Sequence, residues 1–168
     1  MRGDEVRLYY ENNTVMPIMM MLILAAFFIG ISIFLYYETI VVEDFGLTST
    51  EGIILIVSMV LTLGITAAVA VIRIKTSVTY KELRVGIFKG RLVPMTDIDS
   101  VAVEEFRPMK DYLGWGIRIG RKGLGYIAAG TDKGLRINLK TGKSFLISTK
   151  RPFEFESAVN MALRSVKE

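Results

Sequence analysis

Neither histidine nor cysteine occurs in this chain of 168 residues. The first absence removes the side chain that titrates nearest neutrality and the commonest metal ligand. The second removes a thiol nucleophile, sulfur ligation of zinc or iron, and any disulfide framework. Catalysis would have to rest on carboxylates, Lys, Ser or Tyr. The carboxylates of Asp97, Asp99, Glu104, Glu105 and Asp111 fall in turns and alternating segments, where they read as solvated charges, and nothing pairs them into an acid and a base. Glycines at 114, 116, 120, 123, 125 and 130 match neither GxGxxG nor GxxxxGK followed by Ser or Thr, and they do not open a helix, so no phosphate-cradling loop is expected. No catalytic residue, metal ligand or cofactor is assigned, and an enzyme is not expected.

Binding chemistry is better represented. From Arg73 to Glu168 the chain holds 19 Lys and Arg against 10 Asp and Glu, a balance of +9. Arg73, Lys75, Lys89, Arg91, Arg121, Lys122, Lys150 and Arg151 are the candidates to face an anionic leaflet, where each near-surface cation contributes about 1 kcal/mol. The competing reading is a dispersed, solvated surface. A second candidate is the segment EFRPMKDYLGWGIR from Glu105 to Arg118, which carries the only Trp. Trp115 between two glycines, with Phe106 and Tyr112 nearby, reads either as a partner-binding loop or as a plug for one end of a β-structure. Nucleic acid is not an expected partner, because aromatics do not interleave with the charges on one face.

The elements that must position these residues begin with two apolar stretches. Composition is 51% hydrophobic and mean hydropathy is +0.41, an excess concentrated in uncharged runs from Asn12 to Tyr37 and from Gly52 to Ile72. Each exceeds the ~20 residues that cross ~30 Å of hydrocarbon. Transmembrane helices are therefore expected over residues 15–37 and 52–72, joined by an acidic external loop at 38–51 that has four acids and no Lys or Arg. Pro17 suits a first helical turn, and Tyr36 and Tyr37 suit the headgroup boundary. Mixed charges before the first stretch favour a retained anchor over a cleaved signal. Arg2 and Arg7 before the first helix, and Arg73, Lys75 and Lys81 after the second, place both termini in the cytoplasm by the positive-inside rule. Residues 1–14 then form a short cytoplasmic segment, and residues 73–168 a cytoplasmic domain. Neither stretch contains a charge, so no ion or proton pathway is marked. Small residues recur four apart at Ala26 and Gly30, and at Gly64 and Ala68; they are expected to pack the two helices together, with homodimerisation the alternative.

Beyond Thr76 the pattern becomes short alternating runs between turn residues, the mark of antiparallel strands with one buried face. About seven strands are expected: 75–80, 83–88, 91–104, 116–120, 125–130, 134–139 and 144–148. The third is long enough to bend near Thr96 or Asp97. From Pro152 the period changes to that of an amphipathic helix with Phe155, Val159, Ala162, Leu163 and Val166 on one face.

Seven antiparallel strands and a closing helix resemble the pleckstrin-homology (PH) fold. The stretch SVTYKELRVGIFKGRLVPMTDIDSVAVEE, with Val93-Pro94, Asp97-Ile98 and Ser100-Val101, is similar to the opening of bacterial and archaeal PH-like domains that follow transmembrane hairpins. Tyr112 to Gly116 and the Pro-x-x-Phe start of the last helix also resemble a prokaryotic membrane family with no assigned activity. The resemblance implies a two-helix transmembrane hairpin followed by an α+β PH-like domain, its strands in a curled sheet or barrel capped by one helix. Eukaryotic PH domains hold phosphoinositides around the loop joining their first two strands; here the corresponding turn is only Lys81-Glu82, so no compact inositide pocket is expected. The function implied is a non-enzymatic binding or scaffold module that meets anionic lipid or a membrane-protein partner. The alternative is an accessory subunit of a larger membrane complex.

Overall fold

The computed structural model describes residues 6–38 and 50–167. They form two compact units, one spanning residues 16–71 and the other joining the chain up to Val15 to the chain from Ile72 onward. Most of the acidic connection at 38–51 lies outside the described residues.

The helical unit contains α1 (Ile18–Tyr36) and α2 (Thr50–Val71), of 19 and 22 residues. At 1.5 Å per residue these are roughly 28 and 33 Å long, and both are long and apolar enough to cross a membrane. Pro17 immediately precedes α1, where its missing N–H breaks no helical hydrogen bond. Phe28 and Ser32 of α1 and Thr62 and Thr66 of α2 line a shared, mostly apolar groove of about 510 Å³. The Thr66 hydroxyl donates to the Thr62 carbonyl at 2.9 Å. The small residues do not bring the helices together, contrary to expectation. A Cβ added at Gly30 or Gly64 meets no atom within 4 Å, and Ala26 and Ala68 are exposed, because both pairs face away from the groove.

The second unit is a mostly β domain with two sheets. The first contains β1 (Arg7–Thr14), β2 (Arg73–Thr79), β3 (Glu82–Gly86) and β4 (Arg91–Pro94), antiparallel and in that order. The second contains β5 (Ile98–Glu105), β6 (Gly116–Gly120), β7 (Gly123–Ile127), β8 (Lys133–Leu139) and β9 (Ser144–Ser148), in the order β5-β8-β9-β7-β6. Helices α3 (Pro108–Tyr112) and α4 (Pro152–Lys167) complete it.

Four expectations are corrected here. Among the described residues nine strands stand where about seven were expected. The long third strand is divided by a 3-10 turn at Met95–Asp97, which is the anticipated bend. The sheets do not close into a barrel, and β7 pairs with β9 in parallel, so the domain is not uniformly antiparallel. Lastly, the amino-terminal segment supplies β1, whose Thr14 is the Cα partner of Arg73. The helical unit is thus inserted between two neighbouring strands.

The main core lies between the sheets and α4. Val78, Leu83 and Val85 of the first sheet and Leu135, Ile137, Phe145 and Ile147 of the second share it with Phe155, Val159 and Ala162 of α4. Burying each large apolar side chain contributes about 1.5 to 3 kcal/mol. Val166, expected on the same helical face, is instead exposed, beyond the last turn that reaches the core. On the opposite face of the second sheet, Phe106, Tyr112, Ile127 and Leu146 form a smaller core with Trp115 packed against it. Burial on both faces explains the unbroken apolar run Phe145-Leu146-Ile147.

Because Thr14 and Arg73 are directly paired, an Asn-Gly turn joining them should replace the whole helical unit. The expected outcome is a soluble domain with one cooperative thermal transition. Residues 73–168 alone, lacking β1, should show none in the same calorimetric experiment.

Candidate functional site

Alternation along the first sheet separates a buried row from an outward face. On β2, Ile74, Thr76 and Val78 are buried, and Arg73 and Lys75 point outward. Register carries the outward face across the sheet: Tyr10 is opposite Ser77, Ser77 opposite Arg84, and Arg84 opposite Leu92, while Lys75 lies opposite Gly86. Arg7, Tyr10, Lys75, Arg84, Phe88 and Lys89 line a depression of about 880 Å³ on this face. Glu82 is the acid in its lining, and it is already engaged by Arg84 at 2.9 Å. The depression therefore holds three further cations, Arg7, Lys75 and Lys89, for which no carboxylate partner is seen among the described residues.

The rim of this depression is the β3–β4 turn. A Cβ at Gly86, which has φ +143°, would lie 2.8 Å from the Gly90 Cα, so this crossing of backbones requires glycine. The Gly90 amide donates to the Ile87 carbonyl at 3.2 Å. Between them Phe88 adopts φ +56° and is 89% exposed.

Two of the eight basic residues singled out from the sequence, Lys75 and Lys89, line this depression, and Arg73 shares the outward face of β2. The structure adds Arg7 and Arg84, which the sequence reading did not select, and separates the rest. Arg91 is opposite the inward Val85, and its guanidinium lies 4.9 Å from the Phe145 ring centroid. Arg121 and Lys122 are in the β6–β7 turn of the other sheet. Lys122 is tied to Glu104 at 2.8 Å and Asp111 at 3.7 Å, in a network where Arg136 also binds Glu104 at 2.8 Å and donates to the Tyr112 hydroxyl at 3.2 Å. Burial opposes ionisation of Glu104, yet hydrogen bonds from Arg136 and Lys122 hold its carboxyl below the ordinary glutamate range. The hydrogen bond to Glu104 raises the Lys122 ammonium in turn.

Lys150 and Arg151 belong to a clamp around Glu11. This carboxylate is 7% exposed and accepts hydrogen bonds from the Tyr9 and Thr149 hydroxyls, each at 2.6 Å, and from the Lys150 amide at 3.0 Å. Arg151 donates to the Tyr10 carbonyl at 2.7 Å, pairs with Glu154 at 3.0 Å, and stacks over Tyr9. Burial tends to raise the Glu11 carboxyl, but donors from Thr149, Tyr9, Asn13 and Lys150 outweigh it and hold it low. Burial, with donation to Glu11, raises the Tyr9 phenol. The clamp joins β1 to the start of α4.

Of the aromatic loop, Phe106 and Tyr112 are buried in the smaller core with rings meeting edge to face at 5.8 Å. Trp115 is partly buried against them, so these three residues plug one face of the second sheet. The large apolar side chains this segment exposes are Met109, Leu113 and Ile117. No group of three or more carboxylates able to hold a metal occurs among the described residues. Comparisons with known protein families and with curated protein sequences give no match.

Because the native Glu11 carboxyl titrates below the ordinary value of 4.5, its stabilisation is fully present above that pH and is lost as pH falls through the native value. Glu11→Gln should cost roughly 1.5 to 3 kcal/mol at pH 7. Thermal melts of the helix-deleted domain from pH 7 to 3 should show a shallower acid-side decline for the variant than for the parent.

Proposed function

We propose that this protein is a non-enzymatic, membrane-anchored binding module, held in the cell membrane by α1 and α2, whose domain lays its basic sheet face against anionic headgroups on the cytoplasmic side. The observation that carries this reading is the gathering of Arg7, Lys75, Arg84 and Lys89 around one depression with a single, already paired acid. Two further facts support it. The face begins at Arg73, two residues beyond the end of α2, and β1 and β2 pair across the insertion. A helical pair inserted between paired strands returns the chain to the side it left. The basic flanks favour the cytoplasm for that side. Tethering raises the effective concentration of headgroups, so weak contacts suffice. The PH-like relationship belongs to this reading as well, although the parallel β7–β9 pair departs from a simple antiparallel order.

A second reading, an accessory subunit of a larger membrane complex, is favoured by one observation. Gly30 and Gly64 are unpacked within the helical unit, leaving close-approach surfaces for other helices. Stoichiometric co-purification of another membrane protein after mild solubilisation would support it.

The helix-deleted domain should sediment with phosphatidylserine liposomes at low salt and release as salt screens the contact, since the Debye length is about 10 Å at 0.1 M. Lys75→Glu with Lys89→Glu should weaken binding more than about tenfold, at about 1 kcal/mol for each cation lost. Arg121→Glu, on the other sheet, should change it little. Equal loss from both would reject this face. Sidedness is tested separately. An impermeant thiol reagent should modify Ser49→Cys on intact cells and spare Ser157→Cys, and the opposite pattern would reverse the orientation.

A further inference from the structure

We infer that the β3–β4 turn is a third membrane contact, with Phe88 entering the apolar boundary of the leaflet while Lys75 and Lys89 engage headgroup phosphates beside it. This rests on the proposed membrane anchoring and adds a residue-level depth to it. Three observations meet at the turn. The first is its place in the ladder. Val78 pairs with Leu83, Thr76 with Val85 and Lys75 with Gly86, so the turn that follows Gly86 lies at the Arg73 end of β2. Arg73 pairs with Thr14, which makes this the end of the sheet where the chain departs for α1 and returns from α2.

The second observation is that Phe88 is displayed, not merely unburied. At φ +56° it occupies a backbone region that side chains with a Cβ rarely adopt, and it is 89% exposed. Its neighbour Ile87 packs against the main core, and the Gly86–Gly90 crossing closes the turn tightly. A large apolar ring is thus held outward by a braced turn, an arrangement water does not favour and a membrane boundary does.

The third observation is the chemistry around the ring. Lys75, Lys89, Arg84 and Arg7 line the same depression as Phe88. An apolar tip ringed by cations matches the layering of an anionic leaflet, with hydrocarbon below and phosphate above.

The absence of native Cys allows a direct test on the full chain, reconstituted in phosphatidylcholine–phosphatidylserine vesicles. Phe88→Cys and Tyr80→Cys are each labelled with an environment-sensitive nitrobenzoxadiazole dye. Tyr80 is at the opposite end of β2 and β3. With spin-labelled lipids carrying the quencher high on the acyl chain, the dye at 88 should be strongly quenched and blue-shifted, and the dye at 80 should be neither. Equal, weak quenching at both positions, in protein that resists an alkaline carbonate wash, would overturn this contact and leave the anchoring intact. Removal of the chain by that wash would overturn both. A native-ring check uses Phe88→Trp in a Trp115→Phe background, where brominated lipids should quench the indole; no quenching there would also overturn the contact.

Discussion

The ladder between β1 and β2 carries a constraint that ordinary hairpins do not face, because everything from Val15 to Ile72 is threaded between its strands. Were that connection a flexible loop, closing it in place of a two-residue turn would cost roughly 3 kcal/mol of chain entropy. The ladder must offset this, and β1 has few apolar side chains with which to do so. Tyr9 supplies part of the answer by stacking on Phe155 at 4.8 Å between ring centroids. Glu11 supplies another part, since its buried carboxylate draws donors from Tyr9, Thr149 and Lys150. These contacts fasten β1 to the beginning of α4 as well as to β2. Main-core packing, the outward face of the first sheet and the exit point of the helices all follow from that fastening.

The same strand shows where sequence reading reaches its limit. Strands from Arg73 onward announce themselves because their inward residues are apolar, as in Leu83 and Val85 or Leu135 and Ile137. In β1 the buried positions are Tyr9, Glu11 and Asn13. Two of these three are polar, so hydrophobic alternation is absent. Tyr9 and Glu11 are held by Thr149 and Lys150, about 140 positions away in sequence, which no local window contains. Asn12, Asn13 and Thr14 are also uncharged and merge into the apolar run that follows. The parallel β7–β9 pairing was hidden for a related reason: alternation reveals which face is buried and is silent about which strands become neighbours.

For the candidate site, local pattern was informative where the strand was recognised and misleading where charges meet across the fold. Lys75 could be placed outward because Ile74 and Thr76 flank it as inward positions. Arg84, alternating with Leu83 and Val85, carried the same signal but was not selected. Arg7 was missed together with its strand. In the opposite direction, Lys122 and Arg151 looked like free surface cations. Glu104 and Asp111 engage the first, and Glu154 with the Tyr10 carbonyl engages the second. A cation count therefore overstates the charge this domain can turn toward a membrane.

That correction makes the basic face more specific. A diffuse +9 spread over all sides of a domain would orient it weakly, because exposed charges farther than a Debye length from the bilayer are screened. On the proposed reading, Arg7, Lys75, Arg84 and Lys89, gathered around one depression, act together within that distance. At about 1 kcal/mol each near the surface, they amount to roughly 4 kcal/mol, close to a thousandfold bias toward one orientation of a domain already tethered at Arg73. The pairing of Arg84 with Glu82 reduces this, and an apolar residue at the rim adds to it. For the scaffold proposed above, orientation would decide which surface remains open to a partner.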